Sequence, residues 1–293
     1  MAAVARLLRE AAETAETIKL QHTVFALPFA VIAMVTASEP GWPEPRVWAW
    51  VLVAMVAART AAMTFNRLAD AAIDAENPRT RDRALPAGRL SPRFAVGVTV
   101  LSALVFVAAA GALNRTCLWL SPVALAWVLG YSLTKRFTAA AHLWLGLGLG
   151  IAPVGAWLAV TGRFAAPPLV LAAAVASWVA GFDVIYSLQD EAFDRARGLH
   201  SLPAVLGAAR ALAVARALHA VAVAGFAAFA AMAGGGPFRW AAVAAAAALL
   251  VWQHRLVRPD DLSRVDAAFF TANGMLSVAM GALFLFAKMF PAS

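Results

Sequence analysis

A chain of 293 residues in which 62% are hydrophobic and only 14% charged lies far from the composition of a soluble domain, which excludes a single water-exposed globule and defines an all-α polytopic membrane protein. The formal net charge of +8 follows the loops as a topology signal and gives no nucleic-acid-binding face. Cys117 is the only cysteine, so no intramolecular disulfide can form.

A membrane span needs about 20 apolar residues. Nine segments supply this length: 20–38, 47–66, 94–113, 117–134, 140–160, 168–188, 212–233, 238–256 and 267–290. The chain reads as one domain over 1–293. Its residues 1–19 mix Arg, Glu and Thr with apolar residues at helical spacing and lack the unbroken apolar run of a signal peptide, so they are predicted to form an amphipathic segment on the membrane surface. Most of the Lys and Arg fall in the N-terminal region and in the loops after spans two, four, six and eight. These regions are therefore expected on the cytoplasmic side of a bacterial inner membrane, with the C-terminus outside.

In the first span Lys19 and His22 lie a helical turn apart, as interface anchors or as contacts to an anionic substrate, and Pro28 is expected to bend the helix. The second span carries Arg59, an intramembrane cation that calls for a carboxylate or substrate partner. Asn66, Asp70 and Asp74 then follow at intervals of four. At about 100° per residue such a series drifts slowly and forms one stripe. An amide with two carboxylates is a hard donor set suited to Mg²⁺, which binds through one or two carboxylates while substrate phosphates complete its shell. Arg79, Arg81 and Arg83 in the loop beyond could hold the same phosphates. A solvated helix end with a topogenic loop would explain this stretch taken alone.

The fourth span ends with Tyr131 and, one turn on, Lys135 and Arg136, which suit either an interfacial anchor or the neutralisation of a leaving diphosphate. In the fifth span GLGLG at 146–150 sits in an apolar run with no following Lys, so close helix packing is expected and a nucleotide loop is not. The sixth span delivers a second acidic pair, Asp190 and Asp194, with Asp183 seven residues before Asp190 on the same face. The repetition argues against solvation as the sole reason for the acids. Arg195, Arg197 and His200 follow. Spans seven and eight are Ala-rich and show no chemistry, and Asp266 and Asn273 in span nine suit capping or interhelical hydrogen bonds. The five histidines show no metal-ligand spacing.

The ordered set NxxxDxxxD at 66–74, NPRTRDRxLPAG at 77–88, YxxxKR at 131–136, DxxxD at 190–194 and GLHSLPA at 198–204 resembles the UbiA superfamily of membrane-embedded aromatic prenyltransferases over nearly the whole chain. The resemblance implies a helical ring around a central cavity with a cytoplasmic cap, and Asn66, Asp70, Asp74, Asp190 and Asp194 holding Mg²⁺ against a prenyl diphosphate. It further implies that Tyr131 and Lys135 meet the diphosphate. Arg67 departs from many members, which carry an acid directly after the first Asn. The closest branch in pattern is similar to 4-hydroxybenzoate polyprenyltransferases, including the futalosine route to menaquinone. The expected reaction is transfer of a polyprenyl group to a small aromatic acid in ubiquinone or menaquinone biosynthesis, with 1,4-dihydroxy-6-naphthoate as an alternative acceptor.

In this reading Asp70, Asp74, Asp190 and Asp194 act through the metal, and Asp183 orients the acceptor or takes a proton. Lys19, Arg59, Arg81, Arg83, Tyr131, Lys135 and Arg136 contact substrate. The chain works in a lipid bilayer, and its oligomeric state is left open. An ion-coupled transporter is the competing class, although its site would sit near the midplane, whereas the acidic pairs lie toward one face.

Overall fold

The computed structural model describes residues 10, 12–14 and 23–290. Among them the regular elements are all helical, as the sequence predicts: α1 (Thr23–Ala37), α2 (Pro45–Glu76), α3 (Pro92–Leu113), α4 (Arg115–Thr134), α5 (Ala141–Thr161) and α6 (Ala166–Ser187). A 3-10 turn at Leu188–Asp190 leads into α7 (Glu191–Ala196), followed by α8 (Leu202–Leu206), α9 (Ala208–Met232) and α10 (Pro237–Leu256). A π turn at Ala267–Thr271 opens α11 (Ala272–Met289). Among the described residues, seven helical stretches are long and apolar enough to cross a membrane. The remaining two of the nine expected spans correspond to α1, with 15 described residues, and to α10, with 20.

The chain falls into two compact units, Met1–Thr23 with Trp48–Leu133, and Val24–Val47 with Thr134–Ser293. In the first, α2 outruns its expected end. Its 32 residues give about 48 Å at 1.5 Å per residue, well beyond a hydrocarbon core of about 30 Å. The turns carrying Asn66, Asp70 and Asp74 are therefore the surplus length. The loop after them folds back by burying Ala84, Leu90 and Ala95 with Leu68, Leu85 and Phe94. Ser91 then caps α3 by accepting the Phe94 N–H at 3.3 Å, with Pro92 at the first helical position, where its missing N–H costs nothing. Arg89 donates to both Glu13 carboxylate oxygens at 3.1 Å, and Glu10 accepts the Ser91 N–H at 3.3 Å. The rest of the expected amphipathic segment, and Lys19 and His22 at the start of the first expected span, lie outside the described residues.

In the second unit α6 packs along α5 and α9, while α10 packs along α11. Small residues let the backbones meet. A Cβ on Gly150 would sit 2.7 Å from the Ala172 carbonyl, and one on Gly146 would strike that of Ala176. The 146–150 run is thus a packing seam, as the sequence predicts. On the other side of α6, a Cβ on Gly225 would lie 2.8 Å from Ala174 Cβ, and Gly181 makes room for the His219 ring. Pro28 lies inside α1 with its ring against Gly281. Trp178, fully buried on α6, anchors an aromatic core with Phe29 and Phe182 at ring separations of 5.2 and 5.1 Å.

Several polar side chains inside this apolar unit find partners. The Trp178 indole N–H donates to Asn273 Oδ1 at 2.8 Å, and Asn273 Nδ2 donates to the Phe269 carbonyl at 2.8 Å. Gln253 donates to the Ala268 carbonyl at 2.8 Å. Both carbonyls belong to the π turn, whose wider ring leaves backbone acceptors open to side chains. Asn273 so takes the interhelical role expected of it, whereas Asp266 precedes the π turn without a side-chain cap. Helices α9 and α10, which read as featureless, carry a histidine pair with His219 Nδ1 and His254 Nε2 2.9 Å apart. His219 Nε2 can only donate to the Trp178 carbonyl, 3.2 Å away, so Nδ1 accepts from His254.

Gly146→Ala should destabilise the protein by about 1–3 kcal/mol through overpacking. Gly155→Ala, whose Cβ would meet nothing within 4 Å, should not. Thermal unfolding in detergent of the two variants checks the contrast.

Candidate functional site

The first acidic motif is built on the protruding end of α2. Asp70 and Asp74 are 3% and 4% exposed, which rules out the solvated helix end that the stretch taken alone would allow. A carboxylate at such depth needs donors. Arg83 reaches back from the loop and places Nη1 2.8 Å from both oxygens of Asp74. Arg67 Nη1 lies 3.8 Å from the same carboxylate and donates to Asn66 Oδ1 at 3.4 Å, while Asn66 Nδ2 donates to Asp70 Oδ2 at 3.3 Å. Arg67 also lies within electrostatic reach of Asp70 and Tyr131. The loop geometry that delivers Arg83 is set by Asn77, whose carbonyl accepts the N–H groups of Thr80 and Arg81 at 2.9 Å, and by the Thr80 hydroxyl on the Asp74 carbonyl at 3.0 Å. One unit therefore brings together Asn66, Arg67, Asp70, Asp74, Arg83 and Tyr131. Arg79 and Arg81 are exposed, and Arg59 is half-buried two turns earlier on α2.

The second motif is built where α6 tightens into the 3-10 turn and restarts as α7, which separates Asp190 from Asp194 by one turn. Both are half-buried. Asp194 lies within electrostatic reach of Asp190, Lys135 and His142. The chain leaves α7 through a Schellman turn, with the Leu199 N–H on the Asp194 carbonyl at 2.8 Å and the Gly198 N–H on that of Arg195 at 3.3 Å. Gly198 at φ 66° explains the glycine of GLHSLPA. The His200 N–H then donates to the Lys135 carbonyl at 2.8 Å, which ties this loop to the end of the YxxxKR motif. Arg136 is exposed. Asp183, deeper on α6, has Oδ2 2.6 Å from His142 Nδ1.

His142 is the residue the sequence missed. It starts α5 41 positions before Asp183, and no spacing rule links the two. Arg83 was legible, but as a phosphate ligand; in the structure its guanidinium is engaged by Asp74.

Among the described residues no three His, Cys, Asp or Glu side chains converge into a metal cage. Each motif instead offers two carboxylates one turn apart, with the Asn66 amide added in the first. That donor set fits Mg²⁺, which keeps waters and takes the rest of its shell from phosphate oxygens. Chemically, each half can bind a polyanion through a divalent ion, with guanidinium and ammonium groups beside it.

Fold and site together define a helical integral membrane protein with paired acidic motifs. The UbiA prenyltransferase family matches residues 26–275, and the chain belongs to that family. It is a prenyltransferase. It is 31% identical over 225 residues to a 4-hydroxybenzoate octaprenyltransferase of Ralstonia nicotianae, covering 75% of this chain and 76% of that protein. A 4-hydroxybenzoate octaprenyltransferase of Aromatoleum aromaticum is 29% identical over 86% of each chain. Among solved structures, the apo structure of a UbiA homologue from Aeropyrum pernix superimposes with a TM-score of 0.84 at 35% identity, covering 93% of this chain and 99% of that one. A UbiA homologue from Archaeoglobus fulgidus, bound to GPP and Mg²⁺, shares the fold with a TM-score of 0.75 at 18% identity, over 95% and 100% of the two chains.

Arg83→Ala should leave the buried Asp74 with Arg67 alone and lower stability by about 1–3 kcal/mol. Arg83→Lys should recover little of it, because an ammonium cannot reproduce the two-oxygen contact. Thermal unfolding of both variants reads the difference.

Proposed function

We propose that this protein transfers a polyprenyl group from polyprenyl diphosphate to 4-hydroxybenzoate, or to a similar aromatic acid, with Mg²⁺, in respiratory quinone biosynthesis at a bacterial inner membrane. The observation that supports the acceptor best is the likeness to 4-hydroxybenzoate octaprenyltransferases over three quarters or more of the chain. The paired carboxylates support the metal and the diphosphate. The A. fulgidus neighbour shows that the fold accommodates GPP with Mg²⁺ in that protein.

In this reading Asn66, Asp70 and Asp74 in one unit and Asp190 and Asp194 in the other would be the ligands of Mg²⁺, whose chemistry is that of a Lewis acid toward phosphate oxygens. Lys135, Tyr131, Arg81, Arg136 and Arg59 supply donors to the diphosphate or the acceptor carboxylate. Arg83 and Arg67 balance the charge of Asp74 and fix its direction. The allylic C–O bond breaks with its electron pair going to pyrophosphate, the aromatic ring carbon ortho to the phenol attacks the allylic carbon, and a ring proton is lost. The active face is oriented toward the cytoplasm, where the basic loops would meet a charged headgroup.

The deciding experiment incubates membranes containing the protein with radiolabelled polyprenyl diphosphate, Mg²⁺ or EDTA, and either 4-hydroxybenzoate or 1,4-dihydroxy-6-naphthoate. A labelled 4-hydroxybenzoate product that requires Mg²⁺ is expected. Product with the naphthoate alone would move the protein to the menaquinone route, and no product with any acceptor would return the transporter class. Asp70→Ala and Asp190→Ala should each reduce turnover by at least about 100-fold. For the half-buried Asp190 the melting temperature should stay close to wild type.

A further inference from the structure

We infer that Asp183 and His142 are positioning residues that hold the returning end of the second acidic segment. The inference rests on the reading of Asp190 and Asp194 as metal-binding. Asp183 Oδ2 and His142 Nδ1 are 2.6 Å apart, and His142 Nε2 is 3.2 Å from the Leu202 N–H. A backbone N–H can only donate, so Nε2 carries the lone pair and the proton sits on Nδ1, pointing at the carboxylate. The tautomer is set from both sides.

Leu202 is the first residue of α8, whose preceding Ser201 makes no side-chain cap. The first N–H groups of a helix have no partner within it. His142, 4% exposed at the start of α5, supplies one from a neighbouring helix. The segment bearing Asp190 and Asp194 is thereby fastened to α6 twice, through the chain at Ser187 and through Asp183 and His142 at Leu202. Between these points it is also held by the His200 N–H on the Lys135 carbonyl at 2.8 Å and by Arg195 Nε on the Ala204 carbonyl at 3.2 Å. Of these ties only the histidine ends on a carboxylate, which makes a stronger bond than a neutral acceptor. The pair thus sets where Asp190 and Asp194 stand relative to Lys135.

The test uses the full chain in nanodiscs and reads backbone hydrogen exchange over residues 199–207 together with the Mg²⁺ dependence of prenyl transfer. His142→Ala should accelerate exchange there at least tenfold and raise the half-saturating Mg²⁺ concentration several-fold, with a smaller fall in kcat. Asp183→Asn, whose amide oxygen accepts a weaker bond, should shift both quantities about threefold. If His142→Ala does not fold, Leu202→Pro removes the backbone donor at a position that tolerates proline, with Leu202→Ala as the control for the side chain packed against the cluster of Val184 and Leu188, and only the proline variant should reproduce the exchange effect. Unchanged exchange in His142→Ala or Leu202→Pro overturns the inference. So does an Asp183→Asn variant that exchanges like wild type yet loses more than 100-fold in turnover, because the carboxylate would then act on the substrate itself. Exchange is read without substrate, so absence of prenyl transfer by the wild type would sink the functional reading and leave the tie intact.

Discussion

Carboxylates placed toward the ends of membrane helices are costly to bury without donors. Each unit meets this constraint in the same way, with a donor brought from elsewhere in the sequence. For Asp74 the donor is Arg83, nine residues on, delivered by a loop that Asn77 and Thr80 shape. For Asp183 it is His142, from the preceding helix. Of the remaining carboxylates, Asp70 lies within electrostatic reach of Arg67, while Asp190 and Asp194 are half-buried.

The same constraint gives meaning to Arg67. Where related sequences often place another acid, this chain puts a guanidinium 3.8 Å from Asp74. The first motif is therefore less negative than its aspartates suggest, and binding of a polyanion there meets less repulsion.

Much of the fold was readable because apolar runs and their interruptions report directly on membrane spans. The segment 94–113 became Pro92–Leu113 and 168–188 became Ala166–Ser187. The acidic motifs were equally visible, since a four-residue interval on a helix fixes one face. What stayed hidden depends on pairing across helices. Nothing in the order of residues ties His142 to Asp183 or His219 to His254, because these contacts arise from how α5 meets α6 and how α9 meets α10. The apolar span ends near residue 66 because hydropathy fades there, while the helix continues through Asp74 to Glu76, as the four-residue spacing of its polar stripe implied. The depth of Asp70 and Asp74 was hidden, because a loop that folds back over them leaves no periodic trace.

Helix α6 meets backbone on two sides, at Gly146 and Gly150 of α5 and at Gly225 of α9. Contacts of this kind have no side chain that could rotate to absorb a shift, so the helix behaves as a fixed post between its neighbours. What freedom the second acidic motif has therefore begins after Ser187, in the 3-10 turn and the short helices beyond it, and ends where His142 holds Leu202.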